Sequence, residues 1–399
     1  MKKSILLVIS MIVLMSCIGC KTEPIPKKDT TVKKEPRKKE PIVAESVPVA
    51  EELDMGNSLD EKIGSMLMVG FMGTTAPQGS QICNDILTYN LAGVILFDVN
   101  PVNHSEPKNI ANKEQVRELT AQLQACSQNG KLLIAVDQEG GGVQRLKRKY
   151  GFYGKFPKAR DVKKKSDAQV RAEYLKMGEE LSSVGINYNL APVVDLAINK
   201  RNKIIYKYGR SFGAEPETVA KYSEIFIEAM RSNGVLSSVK HFPGHGSSLG
   251  DTHKGFVDVT NLWNKKELEP YKLLSERGVI DTVMVAHVFN KKLDAEYPAT
   301  LSAKVVKGLL REKIGFNGVV ITDDLQMGAI GKYSLRDRLR LTIGAGNDIL
   351  LFGNQLSLSN MVTVQELVDT VKGMVQSGEV KLADIEKSNE RINRLREMI

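Results

Sequence analysis

Gly318-Val319-Val320-Ile321-Thr322-Asp323-Asp324 is the stretch on which the reading of the fold turns. Val319 to Thr322 are all β-branched, and two carboxylates follow without a transition. A short run that is apolar at every position reads as a strand buried on both faces, as in a parallel sheet. Seven more short runs, rich in Val, Ile and Leu, occur: Met66–Phe71, Gly93–Phe97, Leu132–Val136, Ile186–Leu190, Leu236–Val239, Thr282–Ala286 and Ile349–Phe352. Several of them also end in a polar group. Asp137 follows Val136, Asp195 lies just beyond Leu190, Lys240-His241 follow Val239, and His287 follows Ala286.

The segments between the runs are long enough for crossover helices. Val219–Ser232, with apolar residues every three to four positions, is a clear case. Eight strand–helix units predict an α/β fold of the (β/α)8 TIM-barrel type, spanning residues 57–399 as one domain. A doubly wound open sheet is the competing arrangement. The barrel accounts better for the polar residues, because all strand ends gather at its C-terminal mouth, where barrel chemistry is done. After the eighth run, Lys381–Ile399 is expected to hold one last helix rather than a second domain.

Upstream of the barrel the chain changes character. Lys2 and Lys3 precede an apolar run, Ser4–Met15, too short to span a bilayer. Small residues Ser16 and Gly19 directly precede Cys17 and Cys20, so residues 1–20 read as a lipoprotein-type signal segment. Cys17 is the first choice for lipidation and Cys20 the alternative, against an ordinary cleaved signal peptide. Residues 21–56, rich in Lys, Glu, Pro and Thr, bury too little to offset ordering entropy and read as a disordered tether. The 399-residue chain carries a formal charge of +9, and residues 1–40 hold ten Lys/Arg against four Asp/Glu. A basic tail beside an anionic membrane explains this as well as nucleic acid does, and no later basic stripe argues for nucleic-acid binding. Export to the membrane-anchored periplasmic or cell-surface side is expected. Cys83 and Cys126 permit a disulfide, but two buried thiols are the expected state.

Chemistry concentrates in a few stretches. Lys240-His-Phe-Pro-Gly-His-Gly-Ser-Ser-Leu-Gly-Asp-Thr-His253 holds three of the five histidines. His241 and His245 have a zinc-binding helical spacing, but Pro243, Gly244 and Gly246 oppose a helix, so no metal is expected. Gly246–Gly250 reads as a flexible loop without a bulky anchor, delivering Asp251 and His253. A carboxylate beside an imidazole fixes its tautomer, and an imidazole exchanges protons near neutrality. Asp323 should point into the mouth, where an ionised carboxylate can attack an anomeric carbon. Asp324 reads as a cap for the following helix. Asp137-Gln-Glu-Gly-Gly-Gly-Val-Gln-Arg145 and Gly209-Arg210-Ser-Phe-Gly213 offer groups that bind sugar hydroxyls, or simply loop residues.

Together these motifs resemble the bacterial β-N-acetylglucosaminidases of glycoside hydrolase family 3, in the same order, from about Ile63 to about Phe352. The matched pieces also include Ala286-His287, Pro298-Ala-Thr-Leu-Ser302 and Thr322-Asp-Asp-Leu-Gln-Met327. The resemblance implies a retaining hydrolase without cofactor or metal, removing terminal β-linked N-acetylglucosamine through a covalent glycosyl-aspartate. It implies Asp323 as nucleophile, His253 as acid/base and Asp251 as its orienting partner. Asp137, Arg145, Arg210, Lys240 and His241 would form the sugar pocket. Three departures bear on substrate preference: Gly142 where the family commonly has Arg, Tyr206-Lys207-Tyr208 before Gly209, and Ser247-Ser248-Leu249-Gly250 ahead of the dyad. Cell-wall glycan fragments are the expected substrate. A phosphorylase on the same scaffold and a non-catalytic sugar-binding lipoprotein are the alternatives.

Overall fold

The computed structural model describes residues 57–128, 131–356 and 358–399. The expected signal segment, the tether and the lipidation sites Cys17 and Cys20 lie outside these residues. All of the described residues fall within one compact unit, Met55–Ile399.

Each of the eight runs forms a strand: β1 (Leu67–Gly70), β2 (Gly93–Ile95), β3 (Leu133–Val136), β4 (Tyr188–Asn189), β5 (Leu236–Phe242), β6 (Thr282–Val285), β7 (Val319–Thr322) and β8 (Leu350–Phe352). Neighbours pair in parallel in the order β7-β6-β5-β4-β3-β2-β1-β8. A parallel bridge between Ile321 and Ile349 joins the two ends, with the Thr322 amide donating to the Ile349 carbonyl at 3.0 Å. The sheet is therefore a closed (β/α)8 barrel rather than an open one. Both faces of its strands are covered: Val320 and Ile321, which point opposite ways, are each fully buried.

The crossover expected over Val219–Ser232 is the helix Pro216–Arg231. Proline fits its first turn, where an amide hydrogen is not needed, and Val219, Phe226 and Met230 form part of its buried face. The last helix, Leu382–Arg396, forms within the expected 381–399. It returns to the chain's first described helix, Leu59–Gly64: Lys62 Nζ lies 3.1 Å from Glu386, and Asn389 donates to the Lys62 carbonyl at 2.8 Å.

Cys83 and Cys126 form a disulfide, which corrects the expectation of two free thiols. The helices Gln81–Tyr89 and Lys113–Cys126 bring their Cα atoms to 5.2 Å, within bridging range. A separation of 43 residues carried no local sign of that approach.

Candidate active site

A cavity of about 250 Å³ opens at the C-terminal ends of the strands. It is lined by residues from the ends of β2 to β8, which the barrel brings together from across the sequence. Asp137, Arg145, Arg210, Lys240, His241, His253 and Asp323 all line it. Asp251 does not; it stands behind His253.

The floor is a charge network. Lys240 sits only 3% exposed between two carboxylates, its Nζ 2.9 Å from Asp137 Oδ1 and 2.9 Å from Glu139 Oε1. Arg145 reaches the other oxygen of Asp137 at 3.1 Å. Arg210 grips Glu139 as a fork, with Nε–Oε2 and Nη2–Oε1 both 2.7 Å. Burial alone would raise both carboxyls. The adjacent cations outweigh it, holding Asp137 well below the carboxylate range and Glu139 at about 2. The pocket therefore presents ionised acceptors and fixed donors, as sugar hydroxyls require. Lys240 and His241 are consecutive, yet both reach the cavity. A register shift between Val239 and Phe242 on β5 re-aims the strand there, and β5 runs three residues beyond its expected end at Val239.

His241 Nδ1 faces Asp195 Oδ2 at 2.7 Å, and its Nε2 lies 3.3 Å from Arg210 Nη2. Arginine only donates, so Nε2 accepts and Nδ1 carries the proton given to Asp195. Asp195 also accepts the His245 amide at 2.7 Å. Burial pushes His245 down to about 4, so its ring is neutral, and Nδ1 pairs with Ser248 Oγ at 2.6 Å. His241 and His245 thus serve separate hydrogen bonds, and no group of three metal-ligating side chains exists among the described residues.

Asp323 emerges from β7, its amide donating to the Val285 carbonyl at 3.0 Å. Burial raises its carboxyl, but His287, His241, His253 and the Asp324 amide together hold it below its ordinary value, ionised. His287 is fully buried and braces the same corner, Nε2–H donating to the Asp324 carbonyl at 2.9 Å. Asp324 is not a helix cap. No α-helix starts there; a short 3-10 turn begins at Gly328, and the next α-helix, at Leu335, is capped by Ser334. Instead Asp324 Oδ1 accepts the amides of Gln326 at 3.0 Å and Gly353 at 3.2 Å, tying the β7 and β8 ends together. Burial lifts its carboxyl to about 6.

His253 is exposed and lines the cavity. Its Nδ1 lies 2.9 Å from Asp251 Oδ1, which also accepts the His253 amide at 3.1 Å. With Nδ1 donating to the carboxylate, Nε2 is free for proton exchange. The expected supple loop is anchored at its root. Asn202 donates to the carbonyls of His245 and Gly246 at 2.8 and 3.1 Å, and Asn199 to that of Ser247 at 2.8 Å. Glu267 Oε2 accepts the Gly246 amide at 2.7 Å and the Ser247 amide at 3.3 Å. Gly246 allows close contact rather than motion, since a Cβ there would lie 1.9 Å from the Leu196 carbonyl oxygen. The tip is tied to the loop after β7, with the Gly328 amide donating to the His253 carbonyl at 3.3 Å and the Ala329 amide to that of Thr252 at 3.0 Å.

Sequence reasoning passed over Glu139 and Glu267. Glu139 shares the post-strand face with Asp137 two residues earlier, a period-two signal that was readable. Glu267 lies in the polar stretch Asn264-Lys-Lys-Glu-Leu268, which gives no hint of a buried carboxylate. Beside Gly142 the nearest neighbour of an added Cβ would be the exposed Tyr208 ring at 3.8 Å, so two of the departures from the family pattern meet in space.

A barrel with an ionised carboxylate and a carboxylate-oriented imidazole bordering one sugar-sized cavity defines a glycosidase-type site. The chain belongs to glycosyl hydrolase family 3: the model of that family's N-terminal domain matches residues 58–395. It is 34% identical over 301 residues to beta-hexosaminidase A of Pseudoalteromonas piscicida, covering 70% of this chain and 48% of that one. It is 32% identical over 302 residues to a beta-hexosaminidase of Xanthomonas campestris pv. campestris, covering 72% and 83%. The chain thus spans about half the length of the first relative and most of the second. Among solved structures it resembles the family 3 beta-N-acetylglucosaminidase of Paenibacillus sp. FPU-7, with TM-score 0.76 and 31% identity, covering 86% of this chain and 63% of that one. It also resembles the beta-N-acetylhexosaminidase of Beutenbergia cavernae, with TM-score 0.75 and 30% identity, covering 86% and 99%.

Proposed function

We propose that the protein is an exported retaining β-N-acetylhexosaminidase that releases terminal N-acetylglucosamine from cell-wall-type glycans. The observation that carries this is the shared cavity of Asp323 and His253 above the Asp137–Lys240–Glu139–Arg210 network. Asp323 attacks the anomeric carbon while His253 gives its Nε2 proton to the departing oxygen, leaving a glycosyl-aspartate and an alcohol. The neutral imidazole then takes a proton from water, which attacks the same carbon and frees the sugar and Asp323. Asp251 holds the imidazole's tautomer throughout and stabilises its charged form.

The disulfide supports export, because such bonds persist in oxidising compartments. A signal segment and lipid anchoring at Cys17 or Cys20 would tether the enzyme to a membrane on its periplasmic or cell-surface side. The test is turnover of a chromogenic β-N-acetylglucosaminide by the purified protein. Wild type should turn over, Asp323→Ala should not, and a fluorinated slow substrate should add one sugar mass to the peptide containing Asp323. Absence of wild-type turnover across neutral pH sinks the proposal. Sugar 1-phosphate formed in phosphate buffer would replace hydrolysis by phosphorolysis, and binding without turnover would leave a sugar-binding lipoprotein.

A further inference from the structure

The positive charge of this protein lies mainly on the barrel rather than on its leader. Glu45, Glu51, Glu52 and Asp54 cut the surplus of residues 1–56 to +2, leaving 46 Lys/Arg and 39 Asp/Glu, or +7, from residue 57 onward. Two segments, 155–165 and 200–210, hold eleven of those cations and one acid, Asp161, which pairs with Lys164. Their surplus of +10 exceeds that of the whole barrel, so the remainder is net negative. The two segments touch: the Arg160 amide donates to the Gly209 carbonyl at 3.2 Å. No basic stripe was visible in sequence because 34 residues separate the halves.

Between them lies a second cavity of about 300 Å³, lined by Arg160, Lys163 and Lys200 with Tyr206, Ser211 and Phe212. All three cations are exposed, and none forms an ion pair with a carboxylate among the described residues, although the neighbouring Asp161 feels the charge of Arg160. This cavity backs onto the catalytic one across a single segment. Gly209 and Ser211 line the new cavity, while Arg210 between them points into the sugar pocket. Unpaired cations in a concave surface raise the local concentration of anions, within a Debye length of about 10 Å at 0.1 M salt.

We propose that this cavity is an anion subsite that holds an acidic substituent, a carboxylate or phosphate, on the glycan whose terminal sugar occupies the catalytic pocket. The inference rests on the glycosidase reading and adds that the substrate is an anionic glycan. Proximity to the sugar pocket favours a substrate group over a lipid surface.

The experiment compares kcat/KM for a chitotetraose with that for the same oligosaccharide carboxymethylated on every residue but the terminal one, at 20 mM and 500 mM NaCl. The acidic glycan should be favoured roughly 10-fold at low salt, and the preference should collapse at high salt. Lys163→Glu/Lys200→Glu should abolish the preference through loss on the acidic substrate, and Lys163→Arg/Lys200→Arg should keep it. Equal kcat/KM for both glycans in wild type overturns the subsite while leaving the glycosidase reading intact. Failure to turn over either glycan strikes that reading instead. Co-sedimentation with phosphatidylglycerol vesicles that the Glu pair abolishes, without any glycan preference, overturns the subsite in favour of a membrane contact.

Discussion

Replacing Glu267 with Gln should change how stability depends on pH. Glu267 is 1% exposed, its Oε2 accepts two loop amides, and its Oε1 has no partner among the described residues. Burial lifts its carboxyl from 4.5 to about 7. A carboxyl raised on folding is bound more tightly to its proton in the native state. Its stabilising contribution is therefore full below pH 4.5 and is lost as pH rises through about 7. Between pH 5 and pH 8 the loss integrates to about 2.5 kcal/mol at 1.36 kcal/mol per unit. Gln keeps an oxygen for the Gly246 amide and does not titrate. Urea unfolding of both proteins at the two pH values should show Glu267→Gln gaining on wild type by that amount at pH 8. His245, held neutral to about 4, tilts the curve the opposite way below pH 6.5, but equally in both proteins. A variant with the same pH slope as wild type would refute the buried, proton-holding Glu267.

His253→Ala should lower kcat/KM for alkyl or glycosyl aglycones by about 10²- to 10⁴-fold and for nitrophenyl aglycones by far less, since only poor leaving groups need a proton; equal losses on both would remove His253 from the acid role. Glu139→Ala should cost about 3 kcal/mol in urea unfolding, because Arg210 and Lys240 keep buried charges without their partner; unchanged stability would contradict the network. Cys83→Ser/Cys126→Ser should cost about 2–4 kcal/mol, since the bridge closes a loop of 43 residues in the unfolded chain, and a non-reducing mass measurement of the native protein should read two hydrogens light.

The barrel was legible because strands buried on both faces are mostly apolar, as Val319–Ile321 are, and such runs need no partner to be recognised; β4, with Asn189, and β5, with Ser237, Ser238, Lys240 and His241, are buried exceptions. The first carboxylate past a strand, Asp323 or Asp137, was legible for the same reason, since the change of polarity marks the mouth. What was not legible depended on contacts between distant segments. Glu267 holds the loop root twenty residues before it, and the Cys83–Cys126 bridge depends on how two helices lie together. The loop itself misled, because glycine reads as freedom in sequence. At Gly246 it means that a neighbouring carbonyl occupies the space of a side chain.

Ring closure by β1 against β8 has a consequence for how the chain is made. Strand β1 finds one of its two neighbours only after some 280 further residues have been synthesised, and the first described helix waits for the last to supply Glu386 and Asn389. Until then one edge of β1 offers unpaired amides and carbonyls to any passing strand. A nascent chain of this design is most vulnerable to wrong partners late in its production, so truncation just before residue 349 should yield aggregates rather than a smaller, working barrel.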